Sequence, residues 1–352
     1  MRYTLLGKTG LRISRLALGT MTFGADWGLT KEARARLFGL FADAGGNVLD
    51  TADEYGDGSA ETALGELLAG RRERFVVTTK YTMQTRPGDP NSAGNHRKNL
   101  VESLDASLRR LGTDYLDVLW VHARDTLTPV PEVMRALDDQ VRAGKVLYVG
   151  VSDWPAWEVA QANTLAELRG WSPFVALQIR YNLLERTPER ELLPMAHAFD
   201  LPVLAWGPLA DGRLTGKYLR GEPGRLDHVP WAQAMGPGDD VVEVAVKVAE
   251  EAGCTPAQAA LAWLLSRPGT VVPLIGATKE EQLRDNLAAL DVVLTGEQLA
   301  ALERASRIEP GFPHDFLRFG AMTDAIYGAD WRRIDDRRTT VRRAVADDMF
   351  SA

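Results

Sequence analysis

The sequence predicts an α/β fold: a single-domain (β/α)8 TIM barrel with an N-terminal β-hairpin and a long loop after the seventh strand. Three observations carry that expectation. Eight short apolar runs recur along the chain, each followed by a segment whose apolar residues keep helical spacing. Prolines at 131, 155 and 188 stand where first helical turns should begin, and Gly45, Gly144 and Gly170 stand where helices should stop. Continuous apolar runs separated by helices mark parallel strands covered on both faces, and eight such units in 352 residues fit one closed barrel better than two open sheets.

The opening YTLLGKTGLRIS has the pattern of a hairpin turning at Lys8 to Gly10. The barrel strands then read RLALGTM from Arg15, NVLDTA from Asn47, FVVTTK from Phe75, LDVLWVH from Leu116, VLYVGVS from Val146, FVALQIR from Phe174, LPVLAW from Leu201 and TVVPLIGA from Thr270. Helices are expected over residues 31–44, 61–68, 95–110, 131–143, 155–168, 188–199, 241–265 and 279–290. The connection 211–240 is long, rich in Gly and Pro and weakly periodic, which suits a lid or binding loop. The barrel is expected over 1–318. Beyond it, 319–352 forms a tail that is helical or partly disordered, and its DWRRIDDRRTTVRR stretch suits a solvated helix or an oligomer contact.

Composition narrows the function. With 45% hydrophobic and 25% charged residues the chain can bury a sizeable core. A net charge of -7 argues against nucleic acid or an anionic membrane as partner, since both demand basic faces. The single cysteine, Cys254, cannot close an intrachain disulfide, and the five histidines lie far apart without zinc-ligand spacing, so no metal is expected. No run approaches the ~18 apolar residues of a membrane span, and the start has no signal-peptide core. A cytoplasmic protein is expected.

Catalysis in such a barrel is built where strands end. Those ends read Gly19-Thr20-Met21, Asp50, Lys80, His122, Ser152-Asp153, Gln178, Trp206 and Gly276-Ala277. Three consecutive strands thus bring a carboxylate, an amine and an imidazole to one rim, with Tyr55 on the loop after the first. Singly, Asp50 could cap a turn, Lys80 could snorkel to solvent and His122 could be a satisfied core residue. Together they suit acid catalysis. A tyrosine of ordinary pKa ~10 is a weak acid at neutral pH, and a nearby ammonium lowers that value. Lys80 would supply the ammonium, Asp50 would keep it charged and oriented, and His122 would hydrogen-bond a substrate oxygen.

On LDTADEYGDGSAETALGELL, FVVTTK, LDVLWVH and VLYVGVSDW, four motifs in order, the chain resembles the aldo-keto reductase family over approximately residues 1–317. The resemblance implies a tetrad of Asp50, Tyr55, Lys80 and His122 and hydride transfer between a nicotinamide and a carbonyl carbon, with Tyr55 protonating the oxygen. It implies that the cofactor lies along Gly19, Thr20, Met21 and Asp50, with Ser152, Asp153 and Gln178 holding the carboxamide and Trp206 stacking on the ring. Asp153 departs from the asparagine common in the family, and as an ionised carboxylate it only accepts hydrogen bonds. Trp206 matches the branch that resembles potassium-channel β subunits. Gly207, Leu209 and Lys217 follow in the loop. At the adenosine end, Gly276 exposes backbone amide, Thr278 and Lys279 meet a 2'-phosphate, and Gln282 and Asn286 reach adenine and ribose, at a helix start suited to phosphate. Gln282 stands where many relatives carry Arg, and Lys279 and Lys217 supply positive charge in its place. NADPH is favoured over NADH.

Trp27, Tyr81 and Arg124, with Trp154 and Arg180, lie near strand ends and would shape a partly aromatic, partly basic pocket for a small carbonyl substrate. Two rival readings share the barrel. One is a nicotinamide-binding, redox-sensing regulatory subunit with slow turnover, and the other an unrelated metal-using hydrolase or lyase. The sequence sets no oligomeric state.

Overall fold

The computed structural model describes residues 1–227, 238–328 and 330–333. Among them, eight parallel strands close a barrel: β3 (Ala17–Gly19), β4 (Val48–Asp50), β5 (Val76–Tyr81), β6 (Leu116–Val121), β7 (Val146–Ser152), β8 (Phe174–Arg180), β9 (Val203–Trp206) and β10 (Val271–Ile275), the last pairing with both β9 and β3. The expected hairpin is present as β1 (Tyr3–Leu5) and β2 (Arg12–Ser14), paired antiparallel. Leu6 and Ile13 of the hairpin join the interior layer of Ala17, Val48, Val76, Trp120 and Val272, so the hairpin plugs the end opposite the strand C-termini.

Side chains alternate in and out along each strand. Val76, Val118 and Trp120 point into the barrel, whereas Val77, Tyr81, Leu119 and Val121 join the layer beneath the helices. The largest interior side chain, Trp120, needs room from its neighbour on β7. A Cβ on Gly150 would lie 2.3 Å from the Trp120 ring. Gly150→Ala is therefore expected to destabilise the fold by roughly 1–3 kcal/mol, seen as a lower denaturation midpoint; an unchanged midpoint would mean that Trp120 can move aside.

The outer layer is α1 (Lys31–Asp43), α2 (Ser59–Leu68), α3 (Arg97–Leu111), α4 (Val130–Arg142), α5 (Ala156–Arg169), α6 (Leu192–Phe199), α7 (Asp239–Ala252), α8 (Pro256–Leu265), α9 (Glu280–Ala288) and α10 (Gly296–Ser306). Four expectations change. The helix expected over 241–265 is two helices, because Gly253 adopts a left-handed C-cap and Thr255 with Gln258 forms a capping box that starts a new one. The helix expected from Pro188 begins at Leu192, with a 3-10 turn at Thr187–Glu189 ahead of it. A helix not anticipated, α10, follows Thr295, whose hydroxyl caps Gln298 N. The first strand is also shorter than its apolar run, since Met21–Phe23 turns into a 3-10 helix.

In the connection 211–240, the described part folds as short 3-10 turns at Ala210–Thr215, Tyr218–Arg220 and Arg225–Asp227, while residues 228–237 lie outside the described residues. Beyond α10, short helices at His314–Arg318 and Gly320–Tyr327 lead to Trp331–Arg333. The Arg- and Asp-rich stretch continues into 334–352, outside the described residues. Among the described residues no helix is long and apolar enough to cross a membrane.

Candidate active site

Asp50 ends β4 fully buried, with three side-chain donors upon it. Thr78 Oγ1 donates to Oδ1 at 2.7 Å and Gln178 Nε2 to the same oxygen at 3.0 Å, while Lys80 Nζ donates to Oδ2 at 2.5 Å. Thr78 and Lys80 reach it because residues two apart on β5 share the inward face. A buried carboxylate with a cation and two hydrogen bonds is thus satisfied.

Lys80 is just as buried, and all three of its donors are used: the third and second go to Tyr55 Oη at 3.2 Å and Thr51 O at 2.7 Å. Burial alone would strip its proton, but the Asp50 carboxylate and the Tyr55 oxygen outweigh it, and the amine is held well above its ordinary value. Because an ammonium only donates, Tyr55 Oη accepts from it and the phenol O–H is left to point elsewhere. Burial pushes the phenol above its ordinary value, with Lys80 pulling against it and Asp50 adding to the rise. The expected lowering by Lys80 is therefore overridden. Asp50 neutralises much of the ammonium's influence, and desolvation dominates.

His122 follows β6, with its ring edge against Tyr55 at 6.1 Å between centroids and 83° between planes. Its backbone N–H donates to Tyr81 O at 3.0 Å. Burial, with the Lys80 charge second, lowers its pKa to about 3, so the imidazole is neutral at physiological pH. Glu54 Oε1 lies 3.8 Å from Nδ1. Asp50, Tyr55, Lys80 and His122 thus form one contiguous cluster.

The loop that carries Tyr55 is braced from behind. A Cβ on Gly58, which has φ +86°, would lie 2.6 Å from Arg110, so the helix start can approach that side chain only as glycine. Glu61 accepts from Thr79 Oγ1 at 2.5 Å and Arg110 Nε at 2.6 Å. Burial and the Glu61 charge push the neighbouring Asp53 carboxyl up to about 8. Sequence reading missed Thr78, Glu54, Asp53, Glu61 and Arg110. Only Thr78 had a signal, its place two residues before Lys80 on one strand face.

Around the mouth, Ser152 is buried at the end of β7 and Asp153 opens into the cleft in a left-handed conformation, φ +53°. Trp206 Nε1 donates to Asp153 Oδ1 at 3.2 Å. Burial raises this carboxyl to about 6, against hydrogen bonds from Trp206 and Ser152 and the charge of Lys80. Asp153 is exposed as a residue, and the desolvation that raises its carboxyl comes from the protein packed around that group, Trp206 and Ser152 among it. The Arg180 guanidinium carbon sits 5.4 Å from the Trp206 ring centre, and Arg180 Nη2 donates to Asp211 Oδ2 at 3.4 Å.

Several expected contacts are used within the protein. Asp50 is wholly enclosed and so does not face the cleft, and Thr20, also enclosed, donates its hydroxyl to Asp50 O at 3.0 Å. The Gln178 amide nitrogen is committed to Asp50, which leaves its carbonyl oxygen for a ligand. Gln282 folds back on its own turn, accepting at Oε1 from Thr278 N at 2.9 Å, Thr278 Oγ1 at 3.2 Å and Lys279 N at 3.3 Å, as a helix N-terminus demands, rather than extending outward. Asn286 is buried, and Nδ2 donates to Gly276 O at 3.4 Å. Gly276 and Lys279 are exposed, and a Cβ on Gly276 would meet nothing within 4 Å. Gly19, Met21, Gly207, Leu209 and Lys217 are partly exposed near the strand ends or in the loop after β9, and Lys217 Nζ lies 4.8 Å from the Tyr218 ring centre.

The expected substrate pocket changes most. Tyr81 is buried among the helices and donates to Asn95 O at 3.3 Å, because the residue after an inward lysine must face outward. Arg124 is locked to Glu158 and packs over Trp154, so its charge is matched and it does not form an open basic wall. Trp27 is half-buried beneath Arg225, 4.8 Å away, which also donates to Asp211 at 3.2 Å. The described part of the loop after β9 therefore reaches the loop after β3.

The arrangement fits a nicotinamide dinucleotide. The Gln178 carbonyl and the Asp153 carboxylate offer acceptors to an amide N–H beside the flat Trp206 ring, with Ser152 buried next to them, and the exposed Gly276 edge leads to the start of α9. Comparison with known proteins points the same way. The pattern of the aldo/keto reductase family matches residues 15–307. An aryl-alcohol dehydrogenase of Pestalotiopsis microspora is 38% identical over 91% of this chain and 86% of its own length. A norsolorinic acid reductase of Emericella nidulans is 40% identical over 88% of this chain and 82% of its own. An uncharacterized oxidoreductase of Bacillus subtilis is 38% identical over 86% of this chain and 95% of its own.

Proposed function

Since the chain belongs to the aldo/keto reductase family and is an oxidoreductase of that carbonyl-reducing, NAD(P)H-using class, we propose that it reduces an aldehyde or ketone with NADPH and that Tyr55 gives the proton. The observation that carries this reading is the Asp50–Lys80–Tyr55 chain of hydrogen bonds, 2.5 and 3.2 Å long, with neutral His122 beside it. Tyr55 is protonated at neutral pH even at a phenol's ordinary ~10, burial raises it further, and its O–H is not consumed by Lys80. A phenol in that state donates to an oxygen that gains negative charge, and the Lys80 ammonium stabilises the phenolate left behind. His122, neutral and able to donate one N–H, orients the carbonyl oxygen without competing as an acid.

When bound, the nicotinamide supplies the hydride. Ser152, Gln178 and Asp153 hold its carboxamide, and Trp206 supports the ring. Lys279 and Lys217 supply positive charge for a 2'-phosphate, which is the basis for preferring NADPH. The names of the relatives, aryl-alcohol dehydrogenase and norsolorinic acid reductase, suggest an aromatic carbonyl or its alcohol as substrate class. The protein acts in the cytoplasm in this reading.

Fluorescence titration with NADPH and NADH, followed by aldehydes and ketones monitored at the nicotinamide absorbance, tests the whole reading. NADPH is expected to bind at least ~10-fold more tightly than NADH, and Lys279→Ala to remove much of that margin, as loss of a charge-assisted contact would. Equal affinity for both cofactors would sink the NADPH preference. Binding without turnover on any carbonyl would favour the redox-sensing regulatory subunit. The metal-using hydrolase or lyase gives way to the family assignment.

A further inference from the structure

Asp153 has a chemistry that holding an amide does not require. It is a carboxylate at the end of β7, and the two side chains packed beside it, Ser152 and Trp206, are neutral donors. The positive φ of 53° is one that Asn adopts as readily as Asp, so the backbone does not select the acid. Trp206 Nε1 needs only one acceptor oxygen, which the side-chain carbonyl of Asn would provide equally well. What distinguishes Asp is a negative charge placed in the mouth.

We propose that the Asp153 carboxylate makes this site selective for the oxidised, positively charged nicotinamide over the reduced, neutral one. The inference rests on the nicotinamide position given in the preceding subsection. A reduced ring gains nothing electrostatic from the carboxylate, whereas the oxidised ring carries a full positive charge in a partly desolvated mouth. An interaction between unit charges in such a setting is worth on the order of a ten-fold change in affinity. Tighter binding of the oxidised form lowers the midpoint of the bound couple, by about 30 mV for ten-fold in a two-electron couple. With the cofactor bound, hydride transfer to the carbonyl carbon would leave positive charge beside Asp153, while Tyr55 would give its proton to the carbonyl oxygen. Asp153 therefore stabilises that transition state more than the reduced complex, which favours carbonyl reduction on the enzyme and slows release of the oxidised cofactor.

The charge state supplies an internal control. Burial raises Asp153 to about 6, so it is largely ionised at pH 8 and largely protonated at pH 5. The other charged groups at the mouth are Lys80 on β5, Tyr55 and Glu54 on the loop after β4, His122 after β6, and the Arg180–Asp211 pair beside Trp206. Lys80 and Tyr55 titrate above this range and His122 below it. Glu54 is also raised but faces His122, and a variant confined to Asp153 separates its contribution.

The test is fluorescence or calorimetric titration of wild type, Asp153→Asn and Asp153→Gly with NADP+ and NADPH between pH 5 and pH 8. Both replacements tolerate the left-handed backbone, and Asn keeps an acceptor for Trp206 whereas Gly does not. At pH 8 both variants are expected to lose about ten-fold in affinity for NADP+ relative to NADPH. Lowering the pH to 5 should shrink the same ratio in wild type and leave it flat in both variants. An Asn variant whose ratio matches wild type at pH 8 would overturn the proposal, as would a loss confined to Gly, which would make the bond to Trp206 the cause. Failure of wild type to bind either nucleotide would instead overturn the nicotinamide reading itself, and this inference with it.

Discussion

Replacing Tyr55 with Phe is expected to lower kcat/KM for carbonyl reduction by roughly 10²–10⁴-fold, the usual worth of a positioned general acid, while NADPH still binds. The ring would keep its edge contact with His122 and its place over Lys80, 4.8 Å from the ammonium, so the mouth should hold its shape. Only the proton is removed. Stopped-flow absorbance for turnover, with fluorescence titration for cofactor affinity, separates the two effects; a variant as fast as wild type would remove Tyr55 from the chemistry. In wild type the raised phenol pKa has a definite sign for pH dependence. Reduction needs the protonated phenol, so Tyr55 should give no limb through neutral pH and a fall only above the ordinary tyrosine value of ~10, which leaves Asp153 as the group that titrates near 6. With His122 neutral above about 3, no limb from the imidazole is expected between pH 5 and 9.

Lys80→Met is expected to cost both rate and stability. It deletes the cation from a carboxylate that is fully buried, and breaking a buried pair from one side typically costs roughly 3–5 kcal/mol. Thr78 and Gln178 would remain on Asp50 but supply no charge, so the carboxyl would take up a proton. A double variant, Asp50→Asn with Lys80→Met, separates the two losses. Stability should largely return, since no buried charge is left, whereas turnover should stay down because the phenolate formed on Tyr55 would have no ammonium beside it. Thermal denaturation and nicotinamide absorbance read the two quantities independently. Full activity in the double variant would show that neither group tunes Tyr55.

The barrel was legible because its signals are local and repeated. Each strand announced itself as an apolar run, and the place of Lys80 at the end of FVVTTK was enough to bring it to the rim, although Tyr81, one residue later, belongs to the opposite face and not to the same mouth. Helix limits failed where a cap interrupts a continuous apolar pattern. Gly253 with Thr255 and Pro256 splits what periodicity alone joins, and Thr295 starts a helix that the strand-helix rhythm did not demand. The clustering of Asp50, Tyr55, Lys80 and His122 could be anticipated because consecutive strand ends must share one rim. Most of their partners could not, since Glu54, Glu61 and Arg110 are ordinary residues until the fold brings them alongside, and Gln178, read as a strand-end residue, gave no sign that its amide is committed to Asp50.

By itself the sequence determined the strand order around the barrel, the rim on which the chemistry-bearing residues stand and the family to which the chain belongs, because each follows from short-range patterning and motif order. Tertiary structure alone decided how those residues behave. Gln178 meets Asp50 across 128 positions of sequence, and Arg124 is neutralised by Glu158 on α5, beyond the intervening α4 and β7. It also decided that the Tyr55 phenol is raised rather than lowered. Desolvation and Coulomb interaction depend on what surrounds a group in space, and the surroundings of each of these side chains come from segments far apart in the chain.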